Sequence, residues 1–215
     1  MNIQAAPPFT SAVRDLAHAV LQIVYSALKL EWTLLTRFTA GVVLATAATT
    51  LYLMWVLRNS RRPLQVWEAL NKPVIYLLRG WIFGLLLRQA NPYCGTINLR
   101  ITTLSKGTCS GFMTDQHRVR NPFKSIHATA LCTFAETVGG LAALSTLGKK
   151  DRAILVALNI EYKKKARGLI TATAQFDLGK ESGKRDIDEE VILMDSNLDV
   201  LAVAKLTWAI ETKDD

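Results

Sequence analysis

The spacing of apolar residues changes along the chain, and each change marks a different kind of element. Over residues 1–30, Val13, Leu16, Val20, Ile23, Val24 and Leu28 recur at helical intervals among Arg14, Asp15, His18 and Lys29. That is the pattern of an amphipathic helix. The opening Ala5-Ala6-Pro7-Pro8 predicts an unstructured lead; a clean secretory signal is not expected, because the most apolar run comes too late and no small-residue cleavage site follows that run. Residues 33–57 form the main apolar block, with Arg37 near its start. From Phe38 to Leu57 there is no charged residue, a length that matches a bilayer core. Trp32, Tyr52 and Trp55 suit its interfaces, and Arg58, Arg61 and Arg62 come directly after it. The basic flank predicts a single membrane span with the C-terminal side in the cytosol or the mitochondrial matrix. A long buried core helix is the other reading of this block. Residues 64–90 read as a helical lead-in broken at Pro73. The run from Val74 to Leu87 is interrupted by Arg79 and is short for a span, so it packs on the C-terminal domain or lies in the interface plane.

From Cys94 the period becomes two. Residues 96–102 alternate as a strand, Lys106-Gly107 turns the chain, and 108–113 returns. Further strands are expected at 153–163, 168–177, 187–194 and 199–211, with turns at 165–168, 179–183 and 195–197. Between the two sets lies a loop and then a helix, up to about residue 146, that is apolar on every face. Ile126, Leu131, Phe134, Val138, Leu141 and Leu144 are spread all round it, with Ser125 as the expected N-cap. One carboxylate, Glu136, stands in its middle. A carboxylate is costly to bury unless it is paired, hydrogen-bonded or protonated, so Glu136 is the sharpest functional clue in the chain. The order β-β-α-β-β-β-β predicts an α+β domain over residues 91–215, an antiparallel sheet packed on one helix.

Composition narrows the partners. The chain has 215 residues, 50% of them hydrophobic, a mean hydropathy of +0.17, a formal charge of +8 and a pI near 9.5. This basic balance suits an anionic membrane surface, a phosphate-bearing small molecule or nucleic acid. Aromatic residues are few and not interleaved with the basic ones, which ranks nucleic acid last. Cys94, Cys109 and Cys132 are widely separated, without metal-ligand spacing, and read as free thiols, two on strands and one in the helix. No phosphate-binding glycine loop, nucleophile elbow or metal constellation occurs. Neither a metal nor a cofactor is expected.

Between the strands, Asn121, His127-Ala128 and Glu136 stand at the spacing found in the hot-dog acyl-CoA thioesterases of the phenylacetate-pathway type, which the chain resembles. It looks closer to an uncharacterised branch of that superfamily over Pro92-Tyr93, His117 to Asn121, Ser125 to Ala128, Glu136 and Glu161 to Gly168. The resemblance covers roughly residues 64–212. It implies a hot-dog fold, an acyl-CoA or other acyl thioester as substrate, and a homodimer or dimer of dimers. Glu136 would then be general base or nucleophile, reaching its site across a dimer interface. Asn121 would hold the water or the carbonyl, and His127 would orient the thioester. The Ala128 N–H, at the positive end of the helix, would receive the oxyanion. Two positions depart from the family, where glycine is common: Lys124 in the loop and Ala128 after the histidine. Lys124 adds bulk and charge at the mouth of the site. Lys163, Lys164, Lys165 and Arg167 form a basic turn suited to the phosphates of CoA, as do Arg118 and Arg120. A non-catalytic acyl-binding or scaffold subunit on the same fold is the rival expectation.

Overall fold

The computed structural model describes residues 9–29, 33–58, 62–73, 75–179 and 181–213. The expected lead at Ala5 to Pro8, together with Trp32, Arg61 and Val74, lies outside the described residues. The chain divides into two compact units, Met1–Leu53 and Met54–Asp215.

The first unit holds α1 (Phe9–Lys29) and most of α2 (Leu34–Arg58). The apolar stripe of α1, including Val13, Leu16, Val20 and Ile23, is exposed. Within α2 the stretch Leu34–Trp55 has 22 residues, a mean hydropathy of 1.5 and none of its length buried. Its threonines turn their hydroxyls back onto the helix. Thr46 Oγ1 donates to the Val42 carbonyl and Thr50 Oγ1 to the Thr46 carbonyl, each at 2.8 Å. This back-bonding satisfies the hydroxyls without solvent.

The second unit carries α3 (Pro63–Ala69), a 3₁₀ turn (Tyr76–Leu78), α4 (Arg79–Ala90), α5 (Pro92–Ile97), β1 (Arg100–Ser105), β2 (Thr108–Thr114), a second 3₁₀ turn (His117–Val119), α6 (Ala128–Thr146), β3 (Arg152–Tyr162), β4 (Leu169–Gln175), β5 (Gly183–Asp195) and β6 (Val200–Thr212). The order expected from alternation holds with one correction. Residues 92–97 are helical, and β1 begins at Arg100. Pro92 sits at the first helical position and the Asn91 side chain accepts from the Cys94 N–H at 3.3 Å. A capped start with proline in place overrides the alternation beyond it. Asn98, at φ 52°, closes the turn. Cys94 is therefore on a helix rather than a strand, buried, with its thiol 3.0 Å from Thr137 Oγ1.

The six strands form one antiparallel sheet in the order β1-β2-β4-β5-β6-β3. Irregularities interrupt the register between Ile101 and Thr103, Leu155 and Ala157, and Leu193 and Met194. Such breaks bend strands, and the sheet wraps α6. Alternate residues point inward: Cys109 and Met113 on β2, Ile170 and Ala172 on β4, Val191 and Leu193 on β5, all buried. On α6, Phe134, Ala135, Val138, Ala142 and Ala143 are completely buried, and α3 and α5 pack against the same helix. Each large apolar side chain removed from water here contributes about 1.5–3 kcal/mol.

The helix can lie this close to the sheet because Gly139 and Gly140 have no side chains. A Cβ on Gly139 would stand 2.9 Å from Glu189 Oε2, 3.1 Å from Val191 Cγ2 and 3.2 Å from Leu206 Cδ2. One on Gly140 would stand 3.3 Å from the Trp208 ring. Alanine gains up to about 1 kcal/mol in helix propensity over glycine, whereas overpacking a filled core costs about 1–3 kcal/mol. Gly139→Ala is expected to destabilise the fold by about 1–2 kcal/mol net, read as a lower midpoint in chemical denaturation.

Candidate active site

The loop between β2 and α6 is built around Asn121. Its Oδ1 accepts from the backbone N–H groups of Phe123 at 3.0 Å and Ser125 at 3.2 Å, and its Nδ2 donates to Ser125 Oγ at 3.0 Å. The Asn121 N–H donates to the Ser125 carbonyl at 2.8 Å. The side chain thus closes its own turn. Within that turn Lys124 has φ 57°, a left-handed conformation that costs a non-glycine residue about 1–2 kcal/mol. This is the physical reason a glycine suits the position. The Lys124 side chain is exposed at the rim of the loop.

Ser125 does not cap α6. It is buried, tied to Asn121, and two residues too early. The N-cap is His127, whose Nδ1 accepts from the Thr129 N–H at 3.2 Å and lies 2.7 Å from Thr129 Oγ1. With Nδ1 committed as acceptor, the neutral ring carries its proton on Nε2. The His127 N–H donates to the Val119 carbonyl at 2.7 Å and holds the helix start against the loop. Ala128 is the first helical residue and exposed. Its carbonyl accepts from Tyr162 Oη at 2.9 Å, while its N–H has no acceptor among the described residues. Ala128 has no positive φ, so its methyl is accommodated without backbone strain.

Glu136 lies on the side of α6 that also carries Thr129 and Cys132, the least covered side of the helix. It is half-buried and has no hydrogen-bond or ion-pair partner among the described residues. Burial holds its carboxyl above the ordinary carboxylate range. Its charge in turn adds to burial in raising the thiols of Cys94 and Cys132. A carboxylate that is partly desolvated and unpaired holds a proton more readily than one in water, which suits a proton acceptor.

The basic residues come from two segments that the backbone stitches together. The Ile126 N–H donates to the Ala166 carbonyl at 2.9 Å and the Asp115 N–H to the Gly168 carbonyl at 2.8 Å. The turn bearing Lys163, Lys164, Lys165 and Arg167 therefore abuts the loop bearing Arg118, Arg120 and Lys124, beside the start of α6. Not all of this charge is free. Arg120 Nε donates to Asp115 at 2.7 Å, and that bond holds the Asp115 carboxyl below its usual range. Lys164 Nζ donates to Asp195 at 2.9 Å and to Asp199. Lys163 Nζ lies 3.9 Å from Glu161. Arg118, Lys124 and Lys165 have no ion pair among the described residues.

A family model described as a domain of unknown function, DUF4442, matches residues 79–210. The chain belongs to the DUF4442 family. No curated protein matches its sequence. Among solved structures, a Pseudomonas aeruginosa protein described as a probable thioesterase is 22% identical, covering 60% of this chain and 92% of its own at a TM-score of 0.55. A Haemophilus influenzae thioesterase is 20% identical over 60% of this chain and 90% of its own, at 0.52. A Staphylococcus aureus thioesterase is 20% identical over 56% of this chain and 99% of its own, at 0.51. At these identities the shared feature is the hot-dog fold, a six-stranded antiparallel sheet around one helix.

One buried carboxylate is not evident from the sequence. Glu189 on β5 is 2% exposed and accepts from Trp208 Nε1 at 2.8 Å through Oε2, while Oε1 has no partner. It has the same strand parity as the buried Val191 and Leu193, the one signal that points inward. Burial raises its carboxyl to about 7, against the Trp208 hydrogen bond, which lowers it. A raised folded-state pKa gives a contribution to stability that is full below the unfolded value near 4.5 and is lost as pH rises through about 7. Denaturation of the wild type is expected to show a loss of about 3 kcal/mol from this group across that window. Glu189→Gln, titrated the same way, is expected to lack that loss.

Proposed function

We propose that this DUF4442 protein is a membrane-anchored acyl-thioester hydrolase that works as a homodimer or a dimer of dimers, with each active site shared between two copies. The observation that carries the reading is Glu136: an unpaired, half-buried carboxylate on an otherwise apolar helix, in a fold shared with solved thioesterases. Glu136 lies eight positions after Ala128 on α6, an axial rise of about 12 Å. A glutamate cannot reach across that distance to a carbonyl held at its own helix start. A second copy supplies the missing half: Glu136 of one chain faces the Ala128 N–H of the other.

The fold offers an edge for this pairing. β3 hydrogen-bonds to β6 on one side, and no described strand lies on its other side. Ile154, Val156 and Tyr162 on β3 are 66%, 55% and 46% exposed. An open edge strand with exposed apolar residues is normally covered, and an isologous contact between two copies of β3 covers both at once. Tyr162, bonded to the Ala128 carbonyl, links that edge to the helix start.

In the proposed reaction Glu136 takes a proton from water while the water oxygen bonds to the thioester carbon. The Ala128 N–H stabilises the resulting oxyanion. The carbonyl re-forms, the C–S bond breaks, and the proton held by Glu136 passes to the departing sulfur. A carboxylic acid and a thiol leave. Asn121 and His127 act here mainly by shaping the loop and helix start that present the N–H. The free cations Arg118, Lys124 and Lys165 meet the phosphates of a CoA moiety. The Leu34–Trp55 stretch serves as a single-pass anchor, with the catalytic domain on the cytosolic or matrix side. The substrate is then a fatty acyl thioester delivered at the bilayer.

Lys124 at the rim of the loop favours one rival, an acyl-binding subunit without turnover. A chain-length panel of acyl-CoAs separates the two. The hydrolase reading predicts thiol release that Glu136→Ala lowers by about a hundredfold or more, with dimer mass and denaturation midpoint unchanged. Binding without release across the panel, or full turnover by Glu136→Ala, contradicts it.

A further inference from the structure

The 3₁₀ turn at Tyr76–Leu78 and α4 present an apolar ridge that nothing in the second unit covers. Tyr76, Leu77 and Leu78 are 58%, 87% and 55% exposed, and Trp81 and Leu85 are 51% and 41% exposed. Leu78, Trp81 and Leu85 fall at helical spacing on one face of α4, while Phe83 points the other way into the core, against Trp67 at 5.1 Å. The ridge is therefore not a misplaced core. The sheet side of the helix is already packed.

Charge identifies the occupant. Residues 69–114 contain no aspartate or glutamate and five cations: Lys72, Arg79, Arg88, Arg100 and Lys106. Lys72, Arg88 and Arg100 are exposed. Arg79 is held over the Trp67 ring at 3.9 Å and donates to its carbonyl at 3.0 Å, which fixes the start of α4. Beside the ridge a cleft of about 760 Å³ is lined by Trp67, Tyr76, Trp81, Arg100 and Phe112. An exposed ridge of leucine flanked by tyrosine and tryptophan, rimmed mainly by cations, with Glu68 as the acid acting on Arg79, matches the apolar and anionic layers of a lipid interface. α4 has 12 residues, about 18 Å of helix, too short to cross a bilayer core of ~30 Å. It suits lying in the interface plane.

We propose that Tyr76, Leu77, Leu78, Trp81 and Leu85 form a second membrane contact, by which the catalytic domain itself rests on an anionic bilayer surface. This contact is independent of the α2 anchor. It gives the domain a defined face toward the lipid.

The test uses the full chain reconstituted in phosphatidylcholine vesicles with about 30% phosphatidylserine. A benzophenone amino acid replaces Leu77 in one variant, Val43 in α2 in a second, and the exposed Asn197 between β5 and β6 in a third. Leu77 is so exposed that its replacement does not disturb the core. After irradiation, lipid adducts are counted by mass spectrometry. The proposal predicts about tenfold more lipid adduct at position 77 than at 197. Lipid at 43 but not at 77 overturns the proposal and leaves the anchor standing. Lipid at 77 but not at 43 supports the contact and removes the anchor. Adducts from 77 only to a second copy, or only to the same chain, show that protein covers the ridge and overturn the proposal.

Discussion

The constraint on which the C-terminal domain depends is the burial of α6 on nearly every side. A six-stranded sheet can close around one helix only if the helix has small residues where the strands come nearest. Gly139 and Gly140 supply them, against Glu189, Val191, Leu206 and Trp208. The register breaks in β1, β3 and β5 supply the curvature. Toward its N-terminal end one side stays less covered, where Thr129, Cys132 and Glu136 lie. Those residues share a surface because the packing of the rest leaves it open.

Two carboxylates in this domain illustrate how burial alone does not make a site. Glu189 is the more deeply buried, but it is hydrogen-bonded to Trp208 and enclosed by Gly139 and the sheet. It has a structural role. Glu136 is less buried and has no protein partner among the described residues, at the border of an uncovered surface. An accessible, unpaired group is the one a substrate or a water molecule can meet. The axial distance from Ala128 then makes the second copy a necessary part of the proposed chemistry.

Much of the domain was legible in its residues, for physical reasons. Period-two alternation located the strands because one sheet face is buried and the other wet. The apolar helix between them was legible from its all-round pattern. The misses have equally physical causes. Residues 92–97 alternate by type, but Asn91 and Pro92 start a helix there. Ser125 has the chemistry of a cap, but the Asn121 turn takes its hydroxyl, and His127 caps instead. Glu189 sits among the acidic residues Asp186, Asp188 and Glu190, and only its parity with Val191 marks it as inward. The left-handed backbone at Lys124 is invisible in a lysine, although it accounts for the glycine expected there. The pairing of Lys164 and Arg120 with carboxylates also required the fold, since Asp195 and Asp199 are far from Lys164 in the chain.

In the proposed enzyme, one active site draws Glu136 and the Ala128 N–H from different chains. Subunit complementation tests this most directly. Glu136→Ala removes the carboxylate. Ala128→Pro removes the N–H at a first helical position that accepts proline, after a residue whose ψ of 140° is already compatible. Each variant alone is expected to be inactive on acyl-CoA. Co-expressed in equal amounts, they form mixed dimers in which one of the two sites is intact. Recovery of about a quarter of wild-type activity is the predicted result. No recovery, with mixed dimers present by mass, contradicts the shared site.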